Sequence, residues 1–167
     1  MVAVDTSKIK QLREETGAPV MDCKRALEES SGNLEQARQW LRGRGAAIAE
    51  KKAGRVASQG VVESYIHGGG RIGVIVEVNC ETDFVARSDD FKKLAHDIAM
   101  QIAATDPKYV GNEESLPEEL PDGDLPLLKQ PFIRDEKQTI QGLVHEAIGK
   151  LGENVVVRRF SRFELGA

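Results

Sequence analysis

Residues 74–87 read VIVEVNCETDFVAR and contain the sharpest change of pattern in the chain. The first half is rich in β-branched residues and predicts a buried β-strand. The second half predicts a loop, and its leading residues, which we call the TDFV segment, are Thr82, Asp83, Phe84 and Val85. An aromatic residue beside a carboxylate, in a turn between two regular elements, is a poor core pattern and is typical of a contact surface. The stretch therefore predicts a strand that leads into a binding loop.

The sequence around this stretch predicts an α+β domain over residues 61–167. Val61–His67 and Arg71–Asn79 predict the two strands of a hairpin around three consecutive glycines. A phosphate-binding loop would need a helix after those glycines, and a strand follows instead. Apolar spacings of three and four predict one helix after Ser88 and another over Lys137–Leu151, and Asn154–Leu165 predicts a closing strand. We expect an antiparallel sheet with helices covering one side.

Residues 1–45 predict a small domain of three short helices, which resembles the ubiquitin-associated type. Gly17 ends the first helix, Gly32 ends the second, and Asn33 caps the third, which we expect to end at Gly43 and Gly45. Helices this short bury little apolar surface alone, so they must pack against one another. Residues 46–60 are alanine-rich, charged and bounded by glycine, and they predict a linker with partial helical character.

Composition limits the class of protein. Of the 167 residues, 40% are apolar and 30% are charged, as in ordinary globular proteins. No apolar run approaches the ~20 residues of a membrane-spanning helix, so we expect no membrane partner. No signal-peptide pattern is visible at the start, which favours a cytoplasmic location.

The charge is unevenly distributed along the chain. The net charge is −4, yet residues 1–60 hold 11 Lys and Arg against 8 Asp and Glu. A basic strip over Arg38–Arg55 contains six cations and only Glu50 as an opposing charge. A solvated helix end and linker is the favoured interpretation, because the chain lacks the basic excess and interleaved aromatics of a nucleic-acid binder. An RNA-associated protein that uses this strip is a weaker alternative.

Enzyme and metal-site patterns are sparse. The sequence contains no nucleophile, phosphate-loop or metalloprotease motif. The histidines stand singly, without a sequence-level partner, at His67, His96 and His145. Cys23 and Cys80 lack metal-ligand spacing, and we expect both to be reduced. Acidic residues over 112–124 predict an exposed loop, because they lack the regular ligand spacing of a calcium site. We predict a protein without enzymatic activity, cofactor or metal.

Three segments resemble the elongation factor Ts family. They are residues 74–87, MDCKRAL over Met21–Leu27, and RRFSRFELG over Arg158–Gly166. The resemblance covers nearly the whole chain. It implies a guanine nucleotide exchange factor that promotes GDP release from elongation factor Tu by binding, without bond chemistry.

The resemblance also implies where the partner is contacted. It assigns Asp83 and Phe84, within the TDFV segment, to insertion near the nucleotide and magnesium site of elongation factor Tu. The alternative is that Phe84 covers the core at a strand end while Asp83 caps a turn. In the N-terminal domain it points to a second contact motif, formed by Met21, Asp22, Cys23 and Lys24. Cys23 and Leu27 are expected in the core of the bundle, which leaves Asp22 and Lys24 as the better contact candidates.

One departure from the family predicts a homodimer. Long members have a core of two related halves, whereas this chain carries one. A lone half leaves uncovered the sheet surface or edge that its counterpart would cover. A general interaction adaptor, with a peptide-binding helical domain and a dimerising α+β domain, stays open as a second function.

Overall fold

The α+β domain is built on one antiparallel sheet. A computed structural model describes residues 5–112, 116, 121 and 123–167 of the chain. Strands β1 (Gln59–His67), β2 (Ile72–Cys80) and β5 (Val155–Glu164) form a three-stranded sheet in the order β1–β2–β5. Both pairings are antiparallel, and a register shift at Glu77/Val78 interrupts the second.

One face of this sheet is covered by a helix. Helix α5 (Asp89–Thr105) follows the one-turn helix α4 (Asp83–Ala86) and packs on β1 and β2. Burial alternates along β2 from Val74 to Val78, as expected when one face is covered, and Asn79 and Cys80 at its end are both buried. The apolar residues between the helix and the sheet are Val74, Val76, Val78, Phe91, Leu94, Ile98 and Ile102. The predicted α+β class is confirmed.

A small hairpin lies beside α5. Its strands are β3 (Pro131–Phe132) and β4 (Asp135–Thr139), and it follows a 3₁₀ turn at Leu127–Lys129. The buried Gln101 amide joins it to α5, since its Nε2 donates to the Pro131 carbonyl (3.1 Å) and its Oε1 accepts from the Ile133 N–H (2.9 Å). The sequence does not predict β4, because its residues DEKQT have no alternating apolar pattern.

The N-terminal helices are α1 (Thr6–Thr16), α2 (Val20–Glu29) and α3 (Leu34–Lys52). Gly17 ends α1 in the left-handed region with φ of 66°, and the Asn33 side chain caps α3 by accepting from the Gln36 N–H at 3.1 Å. The helices enclose a core of fully buried side chains, formed by Leu12, Cys23, Ala26, Leu27 and Ala37.

The predicted end of the third helix at Gly43 and Gly45 is wrong, because α3 continues to Lys52. Gly45 is a position of close approach, where a Cβ atom would lie 2.9 Å from the carbonyl oxygen of His145. A glycine inside a helix is tolerated when packing requires it, although it weakens the helix by about 1 kcal/mol. Within the predicted linker, residues 46–52 are therefore helical and residues 53–58 are irregular.

Contacts divide the chain into two units. The N-terminal unit is formed by the residues up to Gly54 together with His145–Gly152, and the C-terminal unit by Arg55–Val144 and Glu153–Ala167. Helix α6 (Ile140–Leu151) therefore contributes its second half to the N-terminal unit, whereas the sequence analysis assigned all of it to the second domain.

Two sequence expectations concern segments outside these elements. Most of the predicted acidic loop, residues 113–115, 117–120 and 122, lies outside the described residues. Within the described part of the chain, none of the helices has the length and apolar character required to cross a membrane.

Candidate functional site

The TDFV segment forms a capped helical turn between β2 and α5. Thr82 has extended backbone, and its Oγ1 accepts a hydrogen bond from the Val85 N–H at 3.3 Å. A threonine hydroxyl in this position satisfies an N–H that the first helical turn leaves without a partner. The predicted loop is thus the N-cap and the first three residues of α4, and its backbone is fixed at the start of the turn.

Phe84 and Val85 lie on opposite sides of this turn. The Phe84 side chain is 82% exposed, whereas Val85 is only 6% exposed. Successive helical residues are rotated by ~100°, so Phe84 and Val85 project from the turn in different directions. The alternative that Phe84 covers the core is therefore wrong. Val85 is the buried apolar side chain of the turn, and Phe84 is the accessible apolar side chain.

Asp83 is ion-paired at the surface. Its Oδ2 lies 2.8 Å from Arg87 Nη2, and the two side chains are 63% and 77% exposed. A pair this exposed contributes at most ~1 kcal/mol to stability, so a partner that offers better donors can replace it. Asp83, Phe84, Arg87 and Ser88 line one shallow depression.

Glu153 contacts the segment from a distant part of the sequence. Its Oε2 accepts from the backbone N–H groups of Glu81 (3.1 Å) and Thr82 (3.0 Å), and its Oε1 accepts from the Thr82 hydroxyl (2.6 Å). The sequence does not predict the role of Glu153, because no pattern links a polar residue to a loop 71 positions earlier. Its only visible signal is its place directly before the closing strand.

A second carboxylate joins the same two backbone segments. Glu81 Oε1 accepts from the Asn154 N–H at 2.7 Å, and its Oε2 lies 3.5 Å from Arg55 Nη1. Asn154 in turn donates its side-chain amide to the Arg55 carbonyl at 2.8 Å. Glu153 therefore accepts hydrogen bonds from the backbone of residues 81–82, and Glu81 accepts one from the backbone of residue 154.

The N-terminal motif lies at the start of α2. Met21 is 67% exposed, and Lys24 is exposed and lies 3.8 Å from Glu28 in a surface pair. Asp22 pairs with Arg44 of α3 at 2.9 Å. Cys23 is fully buried, as predicted, and burial raises the pKa of its thiol. Met21 and Lys24 are therefore the members of the motif that are most accessible to a partner.

Three of the six cations of the basic strip, Arg38, Arg42 and Arg44, form ion pairs within the N-terminal unit. Arg38 contacts Glu15 at 2.7 Å, and Arg42 contacts Glu146 at 3.2 Å. The guanidinium carbons of Arg25 and Arg44 lie 6.0 and 5.7 Å from the ring centre of Trp40. Several cations of this unit are therefore engaged in contacts with side chains of the same unit.

The cysteines and His96 make ordinary local contacts. Cys23 and Cys80 are buried, free thiols. His96 contacts Glu63 at 3.4 Å, and its ring meets Tyr65 edge-on. Among the residues that the structure describes, no group of three or more His, Cys, Asp and Glu side chains is placed to hold a metal ion.

Known proteins are similar to nearly the whole chain. A family model described as Elongation factor TS matches residues 9–122. Elongation factor Ts of Desulforamulus reducens is 48% identical over 99% of this chain and 91% of that protein. Elongation factor Ts of Carboxydothermus hydrogenoformans is 49% identical over 98% and 89% of the two chains. That of a Synechococcus species is 50% identical over 99% of this chain and 70% of its own length. The alignments with these relatives are longer than the 167 residues of this chain, so the relatives carry residues inside the aligned regions that this chain lacks.

Proposed function

The chain belongs to the elongation factor Ts family of translation elongation factors, and on that premise we propose that it promotes GDP release from elongation factor Tu. The TDFV segment acts by inserting Asp83 and Phe84 near the nucleotide and its magnesium ion. The observation that carries this proposal is the 82% exposure of Phe84 on a turn whose backbone is fixed by hydrogen bonds.

The exposed ring supplies binding energy that is available only on contact. Burying a phenylalanine side chain in a partner contributes roughly 1.5–3 kcal/mol. Because the turn is already ordered, little conformational entropy is lost when it binds. Phe84 is therefore suited to act as a wedge between partner side chains.

Exchange then follows from differential binding. A GTPase holds its nucleotide through backbone N–H groups, a lysine and magnesium. A protein that binds the nucleotide-free form more tightly must weaken nucleotide binding by the same factor, because the coupling is reciprocal. Asp83 contributes as a carboxylate that competes for the donors and the metal ligands around the nucleotide. No bond is made or broken in this process, so the proposed activity is not enzymatic catalysis.

The N-terminal motif supplies a second contact with the nucleotide domain of elongation factor Tu. Met21 presents an exposed apolar side chain, and Lys24 presents a cation one turn further along α2. Asp22 is held by Arg44, and Cys23 is in the core, so both contribute to the shape of the motif. This contact holds the exchange factor on its partner while the TDFV segment acts. We propose that this activity takes place in the cytoplasm and that the protein does not contact nucleic acid directly.

A homodimer is also proposed, on the basis of the sheet face opposite α5. We call it the open sheet face, and four large apolar side chains on it are between 50% and 71% exposed: Val62, Ile66, Ile75 and Phe163. Ile66 and Phe163 both pair with Gly73, so they lie in one row across the sheet. Contiguous apolar surface of this kind is typical of a protein interface. A solution mass of one 18.3 kDa chain at micromolar concentration would reject the dimer.

The decisive experiment measures release of a fluorescent GDP from elongation factor Tu. We expect strong acceleration by the wild type and a loss of about tenfold or more in Phe84→Ala, equivalent to at least ~1.4 kcal/mol. Val56→Ala is the matched control, because Val56 is an 81% exposed apolar residue of the same unit. It should retain wild-type acceleration.

Each unfavourable outcome has a distinct meaning. No acceleration by the wild type would reject the exchange function and leave the interaction adaptor. Acceleration that is equal in Phe84→Ala and the wild type would reject the wedge.

A further inference from the structure

We propose that Glu153 is a positioning residue for exchange: its carboxylate fixes the TDFV segment so that Phe84 is held exposed before elongation factor Tu arrives. The inference rests on the proposed function, to which it adds a residue outside the contact surface. Its basis is the three hydrogen bonds that one carboxylate accepts from Glu81 and Thr82.

The bonds to Glu153 constrain both the backbone and the cap of the turn. Its Oε2 holds two successive N–H groups immediately before α4. Its Oε1 accepts a hydrogen bond from the Thr82 hydroxyl, which directs that hydroxyl's lone pairs toward the Val85 N–H. A hydroxyl is a donor and an acceptor at the same time. Glu153 therefore determines the orientation in which Thr82 caps the helix.

This arrangement requires a carboxylate of glutamate length. A glutamine has one acceptor oxygen, so when that oxygen accepts the backbone N–H groups its amide nitrogen faces the Thr82 hydroxyl. The nitrogen can only donate, and the Thr82 proton loses its acceptor. An aspartate is shorter by one methylene and does not span the same distance.

The reciprocal contact of Glu81 makes the restraint rigid. Because Glu81 accepts from the Asn154 N–H, residues 81–82 and 153–154 are joined by carboxylates of both segments. Rotation of α4 about its connection to β2 would have to break these bonds together. A segment that is ordered in this way before binding loses less conformational entropy when it binds. Loss of Glu153 should therefore act on the exchange step more than on overall folding.

The first measurement needs no partner protein. Hydrogen exchange of the Glu81, Thr82 and Val85 amides, followed by NMR, reports directly on these bonds. In Glu153→Ala we expect exchange at these amides to be about tenfold faster or more, while the amides of β2 keep their wild-type rates. Glu136→Gln is the control, since it removes an exposed carboxylate of the same unit and should change neither set.

The second measurement is the dependence of GDP release on the concentration of the exchange factor. In Glu153→Gln we expect the maximal rate to fall about tenfold, with a half-saturating concentration within about threefold of wild type. A merely structural role would reduce the amount of folded protein without lowering the saturated rate. Thr82→Val should lower the maximal rate of GDP release more than Thr82→Ser does, because serine retains the hydroxyl.

A double variant tests whether the two residues act through one bond. Thr82→Val combined with Glu153→Gln should be no slower than the slower single variant, since coupled residues are not additive. Unchanged amide exchange in Glu153→Ala would overturn the proposal, and so would faster amide exchange with an unchanged maximal rate. If the wild type fails to release GDP while the amides respond as expected, the exchange function falls, and with it the positioning role.

Discussion

The TDFV segment and the start of α2 both present an exposed apolar side chain next to an aspartate, yet they are stabilised differently. In the TDFV segment, Phe84 projects from a turn that is fixed by directed hydrogen bonds from Thr82 to the Glu153 carboxylate. In α2, Met21 projects from a helix that is fixed by burial, because Cys23 and Leu27 are fully enclosed.

The two kinds of restraint have different effects on side-chain orientation and on stability. Hydrogen bonds specify direction, but each contributes only ~1 kcal/mol net. Buried apolar side chains contribute more and specify direction less. Variants in the TDFV segment should therefore alter function in a folded protein, whereas variants in the core of α2 should unfold the N-terminal unit.

The largest expected effect comes from the core of α2. Leu27→Ala should reduce the free energy of unfolding of the N-terminal unit by about 2–5 kcal/mol, because it leaves a cavity at a fully buried position. Trp40 packs against that core and is the only tryptophan, so its fluorescence in urea reports this unit.

Val85→Ala provides the comparison from the TDFV segment. It removes two methyl groups at a 6% exposed position, and we expect a loss of ~2 kcal/mol in the C-terminal unit, followed by circular dichroism in urea. If this loss equals or exceeds that of Leu27→Ala, burial rather than hydrogen bonding dominates both segments.

The sequence predicts most of this architecture because periodic burial leaves a periodic pattern. Val74, Val76 and Val78 alternate along β2, and the apolar stripe of α5 recurs at three and four residues. Both elements face one partner surface over several turns or residue pairs, so the apolar positions follow the geometry of the element.

The remaining features depend on tertiary contacts that have no local signature. Gly17 ends a helix with φ of 66°, whereas Gly45 continues one at a position where a Cβ atom would lie 2.9 Å from the carbonyl oxygen of His145. The motif predicts an exposed Phe84, and its side chain is 82% exposed, but the restraint on its turn comes from Glu153. A polar side chain that bonds backbone groups 71 residues away produces no periodicity.

A smaller effect is expected from the two aspartates. Asp22→Asn should reduce the stability of the N-terminal unit by about 1 kcal/mol, because it removes the charge that faces Arg44 in a pair whose aspartate is 19% exposed. Asp83→Asn should alter stability by less than about 0.5 kcal/mol, since that pair is highly exposed. Urea unfolding of both variants in 50 mM and 500 mM salt tests this order. A larger loss for Asp83→Asn would show that its pair with Arg87 is structural.

The smallest expected effect is a dependence on pH that belongs to the N-terminal unit. His145 is partly buried in α6, and desolvation lowers the pKa of its imidazole below the ordinary 6.5. The folded unit therefore takes up a proton less readily than the unfolded chain does. As pH falls through about 6.5, protonation favours the unfolded state, so this part of the stability is present above about pH 7 and is progressively lost below it. Urea midpoints from Trp40 fluorescence at pH 7.5 and pH 5.5 should differ in the wild type and converge in His145→Gln. A difference that persists in His145→Gln would assign the pH dependence to other groups of the unit and leave His145 without this role.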